Sequence, residues 1–76
     1  MTRVTLFTAR SCHLCERARS VLTKTGVPFQ EVDITGDPEL EARYREWLPV
    51  VEIDGERAFV YYVDEAAFRR KVAAQT

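Results

Sequence analysis

The sequence predicts an α/β fold in which a four-stranded mixed sheet is flanked by helices. Three observations support this fold class. A strand–helix–strand unit occupies about the first 30 residues, a second amphipathic helix follows it, and an Asp-Gly hairpin precedes a third helix. The predicted order of elements is therefore βαβ-α-ββα. Because the chain has 76 residues, we expect one domain over residues 1–76, near the lower size limit at which a hydrophobic core suffices.

The first unit is expected to place two parallel strands side by side. Val4 to Phe7 is a short, continuous apolar run, which is typical of a buried strand. From Cys12 onward apolar residues recur at helical spacing, and this helix is expected to end at Gly26, with Pro28 just beyond it. Phe29 to Ile34 makes the second strand. Since strand–helix–strand crossovers are almost always right-handed, the two strands are predicted to be parallel neighbours.

The second half is expected to contain a helix, a hairpin and a final helix. The helix that follows the second strand should end at Pro49, because proline cannot continue it. Two apolar strands, Val50 to Ile53 and Arg57 to Tyr61, flank Asp54-Gly55. An Asp-Gly pair between apolar strands is the strongest short-range hairpin signal. Asp64 is predicted to cap the last helix.

The composition is that of an ordinary soluble protein. Hydrophobic residues make up 46% and charged residues 30%, and 11 Lys plus Arg against 12 Asp plus Glu give a net charge of −1. Such a charge provides no bulk attraction to nucleic acid or to an anionic membrane. The apolar run near the N-terminus is too short for a signal-peptide core or a membrane span. We therefore expect a cytoplasmic monomer with no nucleic-acid or membrane partner, in a compartment where thiols are kept reduced.

Cys12 and Cys15, the two cysteines of the chain, stand where the first strand gives way to the first helix. A disulfide needs Cα atoms about 4.4–6.8 Å apart, and helix positions three apart lie about 5–6 Å from each other. The pair can therefore close and reopen with little backbone movement. Cys12 is predicted to be the nucleophilic thiolate, because unpaired backbone N–H groups at the helix start should lower its pKa. Cys15 is predicted to be the more buried, resolving thiol.

Four segments together resemble the glutaredoxins and glutaredoxin-like proteins of the thioredoxin-like superfamily. They are VTLFT leading into SCHLC, GVPFQEVDIT, the proline motif WLPVVEIDG and the C-terminal DEAAFRRKV. The resemblance covers nearly the whole chain. It implies a thioredoxin-like fold and a small dithiol-disulfide oxidoreductase that reduces protein or glutathione mixed disulfides. Such a protein would have an electron-transport role in cell redox homeostasis. It also implies that Pro49 is cis and faces the dithiol, with the backbone of Leu48 pairing with substrate.

Three further residues are candidate substrate contacts. Arg10 stands two positions before Cys12 and would add positive charge near the thiol. His13 follows Cys12 directly, where glutaredoxins usually carry Pro or Gly. A protonated imidazole there would stabilise the thiolate, and the alternative is a solvent-facing loop histidine. Trp47 either forms an aromatic wall beside the dithiol or anchors the core at the end of the second helix.

The segment Tyr61-Tyr62-Val63-Asp64 bears on the use of glutathione. Glutathione-using glutaredoxins generally carry a Gly-Gly turn followed by Asp near this point, and here two tyrosines replace the glycines. Asp64 either keeps an acidic role toward the substrate or serves as a helix N-cap. Glutathione is therefore one candidate reductant, and a thioredoxin-reductase-like enzyme is the alternative. No tightly bound cofactor is expected.

A different class of function is metal binding. Within one chain Cys12, His13 and Cys15 cannot fill a tetrahedral zinc site, because four well-directed ligands are needed and His13 lies in sequence between the two cysteines. We therefore expect no metal in a monomer. A homodimer could supply four thiolates to zinc or to an iron–sulfur cluster. A third alternative is an interaction module with unreactive thiols.

Overall fold

The computed structural model describes residues 2–75, so Met1 and Thr76, the ends of the predicted 1–76 domain, lie outside it. Within the described residues, four strands and three α-helices follow one another in the predicted order, which confirms the α/β fold class. The elements are β1 (Val4–Thr8), α1 (His13–Thr25), β2 (Gln30–Asp33), α2 (Pro38–Tyr44), a 3₁₀ helix (Arg45–Trp47), β3 (Val50–Ile53), β4 (Glu56–Val60) and α3 (Glu65–Gln75).

The strands form one mixed sheet with the order β2-β1-β3-β4. β1 pairs in parallel with β2 and antiparallel with β3, so that Phe7 lies between Val32 and Val50. β3 and β4 form the predicted antiparallel hairpin. Because of these directions, β1, β2 and β4 end, and β3 begins, at the same end of the sheet. We call it the site end, since the loop from β1 leads from there to Cys12.

A separate apolar cluster covers each face of the sheet. Successive residues of a strand point to opposite faces, and accordingly Leu6 joins one cluster and Phe7 the other. On the second face the Tyr44 ring of α2 stacks on Phe7, with the ring centroids 4.1 Å apart. The first cluster, between the sheet and helices α1 and α3, consists of Val4, Leu6, Ala18, Leu22, Val51, Ile53 and Phe68.

Two helix boundaries differ from the prediction. α1 begins at His13, and Cys12 is its N-cap with an extended backbone instead of being its first residue. The second helix does not run unbroken to Pro49: regular α-helix stops at Tyr44 and the chain continues as the short 3₁₀ helix. The residue before a proline is pushed out of the helical region, and Leu48 is extended with φ −64° and ψ 143°.

Two strand boundaries also differ. β2 is shorter than predicted, because Phe29 and Ile34 flank its paired residues. β4 starts at Glu56 and ends at Val60, so Tyr61 leaves the strand. The shift matters for the site, since Tyr61 then turns the chain at the site end of the sheet.

Candidate active site

The two cysteines meet at the start of α1 and form a disulfide there. Their Cα atoms are 5.2 Å apart, within the range predicted from their spacing. As N-cap, Cys12 accepts a hydrogen bond at its Sγ from the backbone N–H of Cys15, at 3.1 Å. Cys15 is 1% exposed, whereas Cys12 is partly exposed. The expectation that Cys15 is the more buried residue is thus confirmed, and the chemical roles of the two sulfurs stay a prediction.

A row of backbone groups crosses the site end of the sheet. The N–H of Ile34 donates to the carbonyl of Thr8 at 2.8 Å, and the N–H of Tyr61 donates to the carbonyl of Pro49 at 3.0 Å. The register of β1 and β3 ends with Phe7 opposite Val50, so Thr8 and Pro49 are the next residues of the two chain segments at this end. Since the loop that leaves Thr8 leads directly to Cys12, the proline and the dithiol lie at the same end of the fold.

Pro49 has the geometry that the resemblance implied. The Leu48–Pro49 peptide bond is cis. The proline ring is buried, while Leu48 is partly exposed. Whether Leu48 pairs its backbone with a substrate stays a prediction.

Tyr61 adopts a left-handed backbone conformation that sequence analysis did not foresee, with φ 66°. For a bulky aromatic residue such a conformation costs of order 1–3 kcal/mol and has to be held by its surroundings. Besides the backbone bond to Pro49, the Tyr61 hydroxyl donates to the carbonyl of Glu46 at 3.0 Å. Its ring lies 6.2 Å, centroid to centroid, from the indole of Trp47. These contacts join the end of β4 to the 3₁₀ helix.

Trp47 lies on the surface of the protein. Of its two predicted placements, the anchor in the core is wrong, because the side chain is among the exposed large apolar groups. Regular α-helix ends at Tyr44, so the helical periodicity from which the core placement was predicted does not extend to Trp47. The guanidinium of Arg57 lies over the indole, 5.6 Å from its centroid.

Arg10 and His13 flank the disulfide in sequence, and the structure gives them different surroundings. The backbone N–H of Arg10 donates to the hydroxyl of Thr35. The Arg10 charge contributes, after the hydrogen bonds from Thr35, to lowering the pKa of Asp33 at the end of β2. His13 is 96% exposed in its side chain, with Nδ1 3.5 Å from Oε2 of Glu16. The structure thus favours a solvent-facing His13 on the outer surface of α1.

Asp64 caps α3, as predicted. Its Oδ1 accepts a hydrogen bond from the backbone N–H of Ala67 at 3.2 Å. Capping of this kind satisfies one of the unpaired donors at the helix start. A role of Asp64 in binding substrate stays a prediction.

A groove with a volume of about 160 Å³ runs between α1 and the segment that follows β4. On the α1 side it is lined by Leu14, Arg17, Ala18 and Val21, and on the other side by residues 61–63. Leu14 lies between the two cysteines in sequence, so one lining residue of the groove is the direct neighbour of Cys15. Arg17 is the single charged side chain among the lining residues, and it forms no ion pair within the described chain.

The two cysteines do not belong to a group of three or more potential metal ligands in the part of the chain that the structure describes. Within residues 2–75, no three or more His, Cys, Asp or Glu side chains are grouped so as to hold a metal ion. A zinc or iron–sulfur centre on Cys12 and Cys15 would therefore need ligands from another molecule. None of the helices in the same residues is both long and apolar enough to cross a membrane.

Comparison with known proteins agrees with the glutaredoxin-like resemblance of the sequence. A family model described as "Glutaredoxin-like domain (DUF836)" matches residues 3–73. An uncharacterised protein of Mycobacterium tuberculosis is 31% identical over 83 residues, which cover 97% of this chain and 86% of that protein. The X-ray structure of the X. campestris protein XcR50 has a TM-score of 0.82 at 29% identity, covering 93% of this chain and 96% of that one. Glutaredoxin 1 of Francisella tularensis, complexed with cacodylate, shares the fold with a TM-score of 0.64 at 16% identity and coverage of 99% and 96%.

Proposed function

Because this chain belongs to the family of the Glutaredoxin-like domain (DUF836), we propose that it is a dithiol-disulfide oxidoreductase with Cys12 as nucleophile and Cys15 as resolving thiol. One observation carries the proposal. Cys12 is partly exposed and its Sγ accepts a hydrogen bond from a backbone N–H at the start of α1, while its disulfide partner Cys15 is buried. A disulfide that closes so short a loop constrains the unfolded chain little. A structural role is therefore a poor explanation of the pair.

The proposed reaction has two exchange steps. In the reduced protein the Cys12 thiolate attacks one sulfur of a substrate disulfide, whose S–S bond breaks and releases one substrate thiolate. The Cys15 thiol then loses its proton and attacks the Cys12 sulfur, which releases the second substrate thiolate and closes the Cys12–Cys15 disulfide. Two electrons pass from the dithiol to the substrate. N–H groups at the helix start favour the first step, because they stabilise negative charge on the Cys12 sulfur.

The dithiol must then be reduced again, and two donors fit the proposal. Glutathione would do so through a mixed disulfide on Cys12, and a thioredoxin-reductase-like enzyme would do so directly. Tyr61 and Tyr62 favour the reductase, because their bulky side chains follow β4 where glutathione-using glutaredoxins generally carry glycines. A coupled assay that supplies each donor separately to the same protein distinguishes them. We place this cycle in a monomer without a tightly bound cofactor, in a reducing compartment such as the cytoplasm.

Single-cysteine variants test the proposed roles. With insulin as the disulfide substrate and dithiothreitol as the reductant, Cys12→Ser should abolish turnover. Reduced Cys15→Ser, freed of dithiothreitol before it is mixed with insulin, should still attack the substrate and accumulate a mixed disulfide on Cys12 that mass spectrometry detects. Ser20→Ala, a change at an exposed position of α1, is the control and should keep wild-type turnover. Undiminished turnover by Cys12→Ser would refute the mechanism.

A further inference from the structure

The large apolar side chains that remain exposed within residues 2–75 lie together at the site end of the sheet, from which the loop after β1 leads to the dithiol. They are Trp47, 40% exposed, Tyr61, 40% exposed, and Tyr62, 68% exposed. Trp47 and Tyr61 are in ring contact, and Tyr61 and Tyr62 both line the groove along α1. We call these three residues the aromatic band. Clustered exposed aromatic side chains are characteristic of surfaces that bind other molecules.

The band is held in a defined position. The left-handed backbone of Tyr61, its hydroxyl bond to Glu46 and its backbone bond to Pro49 fix the ring against Trp47. A surface that is ordered before binding loses little conformational entropy when a partner arrives. The groove extends the band to Leu14, which lies between the two cysteines. A chain lying in the groove would therefore contact the residue that directly precedes Cys15 in sequence.

Positive charge stands both in the groove and beside the aromatic band. Arg17 is the single charged group among the groove-lining residues, and Arg57 lies over the Trp47 ring. Neither guanidinium has an ion-pair partner within the described residues, whereas Arg19 and Arg69 are paired with Glu31 and Glu65. The surface is thus complementary to a partner that carries apolar side chains and carboxylates.

We propose that the aromatic band and the groove bind an extended segment of a protein substrate that carries an apolar side chain next to its disulfide cysteine and an acidic residue facing Arg17. This inference rests on the proposed function, and it names the substrate class of the same site. The apolar side chain would pack between Leu14 and Tyr62. The substrate disulfide would then lie at the partly exposed Cys12, where the two exchange steps described above transfer two electrons to it.

Single-turnover reduction of matched peptides tests the proposal. The fully reduced protein, in excess, is mixed with one of two disulfide-linked peptides that are identical except beside the cysteine, where one carries Leu-Asp and the other Ser-Lys. Thiol release is followed after an acid quench. We expect the Leu-Asp peptide to react about tenfold faster, because packing of an aromatic anchor and charge complementarity both favour it. Glutathione disulfide, which supplies carboxylates without an apolar side chain, should react more slowly than this peptide.

Two variants separate the apolar and the charged parts of the proposed site. Tyr62→Ser should lower the rate of reduction of the Leu-Asp peptide about fivefold through loss of packing. Arg17→Glu should lower the rate of reduction of the Leu-Asp peptide about threefold and raise that of the Ser-Lys peptide. At high salt these differences between variant and wild type should become smaller. Arg70→Glu makes the same charge change at an exposed position of α3 outside the groove and should leave the preference unaltered.

Hydroxyethyl disulfide, which is small and uncharged, separates failure of this inference from failure of the proposed function. The wild type should reduce it, and each variant's rate with a peptide is divided by that variant's own rate with hydroxyethyl disulfide, so that a change in thiol reactivity is separated from a change in peptide recognition. If the wild type reduces it but shows no preference between the peptides, or if Arg17→Glu and Arg70→Glu have equal effects, the proposed substrate class is wrong. Glutathione disulfide reacting as fast as the Leu-Asp peptide would also overturn it. If hydroxyethyl disulfide is not reduced at all, the oxidoreductase proposal itself fails.

Discussion

Arg19 of α1 and Glu31 of β2 form a two-point ion pair that ties the helix carrying the dithiol to the edge of the sheet. Arg19 Nε donates to Oε1 at 2.7 Å, and Nη2 donates to Oε2 at 2.6 Å. The hydroxyl of Thr8, a buried residue at the end of β1, donates to the same Oε2 at 3.1 Å. One carboxylate therefore joins α1, β1 and β2 close to the site end.

The ion pair predicts a pH dependence of stability. Hydrogen bonds from Arg19 lower the pKa of Glu31 from its ordinary value of 4.5. A pKa that is lower in the folded state stabilises the fold above the unfolded pKa, and this contribution is lost as the pH falls through the folded pKa. Because both side chains are partly exposed, we expect Glu31→Gln to reduce the free energy of unfolding by only about 0.5–1 kcal/mol at neutral pH. Urea unfolding should show this difference disappearing below about pH 4.

Glu56→Gln is the control for that measurement. Glu56 is exposed on β4, so its loss should leave the unfolding free energy nearly unchanged at either pH. If the difference in unfolding free energy between the wild type and Glu31→Gln persists in acid, the charge of Glu31 is not its source.

The capping geometry predicts that the two thiols of the reduced protein differ in acidity and access. In Cys15→Ser, the alkylation rate of Cys12 with iodoacetamide should rise with pH around a midpoint below about 8.5, because helix N–H groups stabilise the thiolate. In Cys12→Ser, Cys15 should react far more slowly because it is buried. Equal rates and equal midpoints in the two variants would remove the basis for assigning Cys12 as the nucleophile.

Tyr44 predicts a second test of stability, at high pH. Its hydroxyl donates to Oε2 of Glu52 at 2.8 Å, and burial followed by this bond raises the pKa of Tyr44 above 10.0. Tyr44→Phe should cost about 1 kcal/mol of unfolding free energy at neutral pH through the lost hydrogen bond. An acid with a raised folded pKa loses its stabilising effect as the pH rises above the unfolded pKa, so the deficit should shrink above about pH 10.

Tyr62→Phe removes the same hydroxyl from an exposed ring and serves as the control. Its thermal unfolding should match that of the wild type. If Tyr62→Phe loses as much stability as Tyr44→Phe, the lost hydrogen bond to Glu52 is not the cause of the destabilisation.

Asp64 allows its structural role to be separated from a role in substrate binding. Asn is as good an N-cap as Asp but lacks the charge, whereas Ala loses the cap and should cost about 1 kcal/mol. If capping is the whole role, Asp64→Asn should keep both the thermal midpoint and the reductase activity with glutathione. A selective rise in KM for glutathione in Asp64→Asn, without loss of stability, would instead establish that the carboxylate contacts substrate.

Local patterns were sufficient for much of the fold. Periodic apolar residues, the glycine at the end of α1 and the Asp-Gly turn predicted the order of elements, because each depends on residues close in sequence. Element ends were predicted less well. Where Tyr61 leaves the sheet depends on its bonds to Glu46 and Pro49, which lie more than ten positions away, and no local pattern contains them.

The sequence by itself determined that two thiols stand one helical turn apart at the end of a strand, since strand and helix periodicity and the C-x-x-C spacing are local properties. Only the tertiary structure decided what surrounds them. It turned Trp47 outward, placed Tyr61 against it and brought Arg19 to Glu31. Such contacts are set by which strands and helices pack together, and their energy is gained only once the whole sheet has formed.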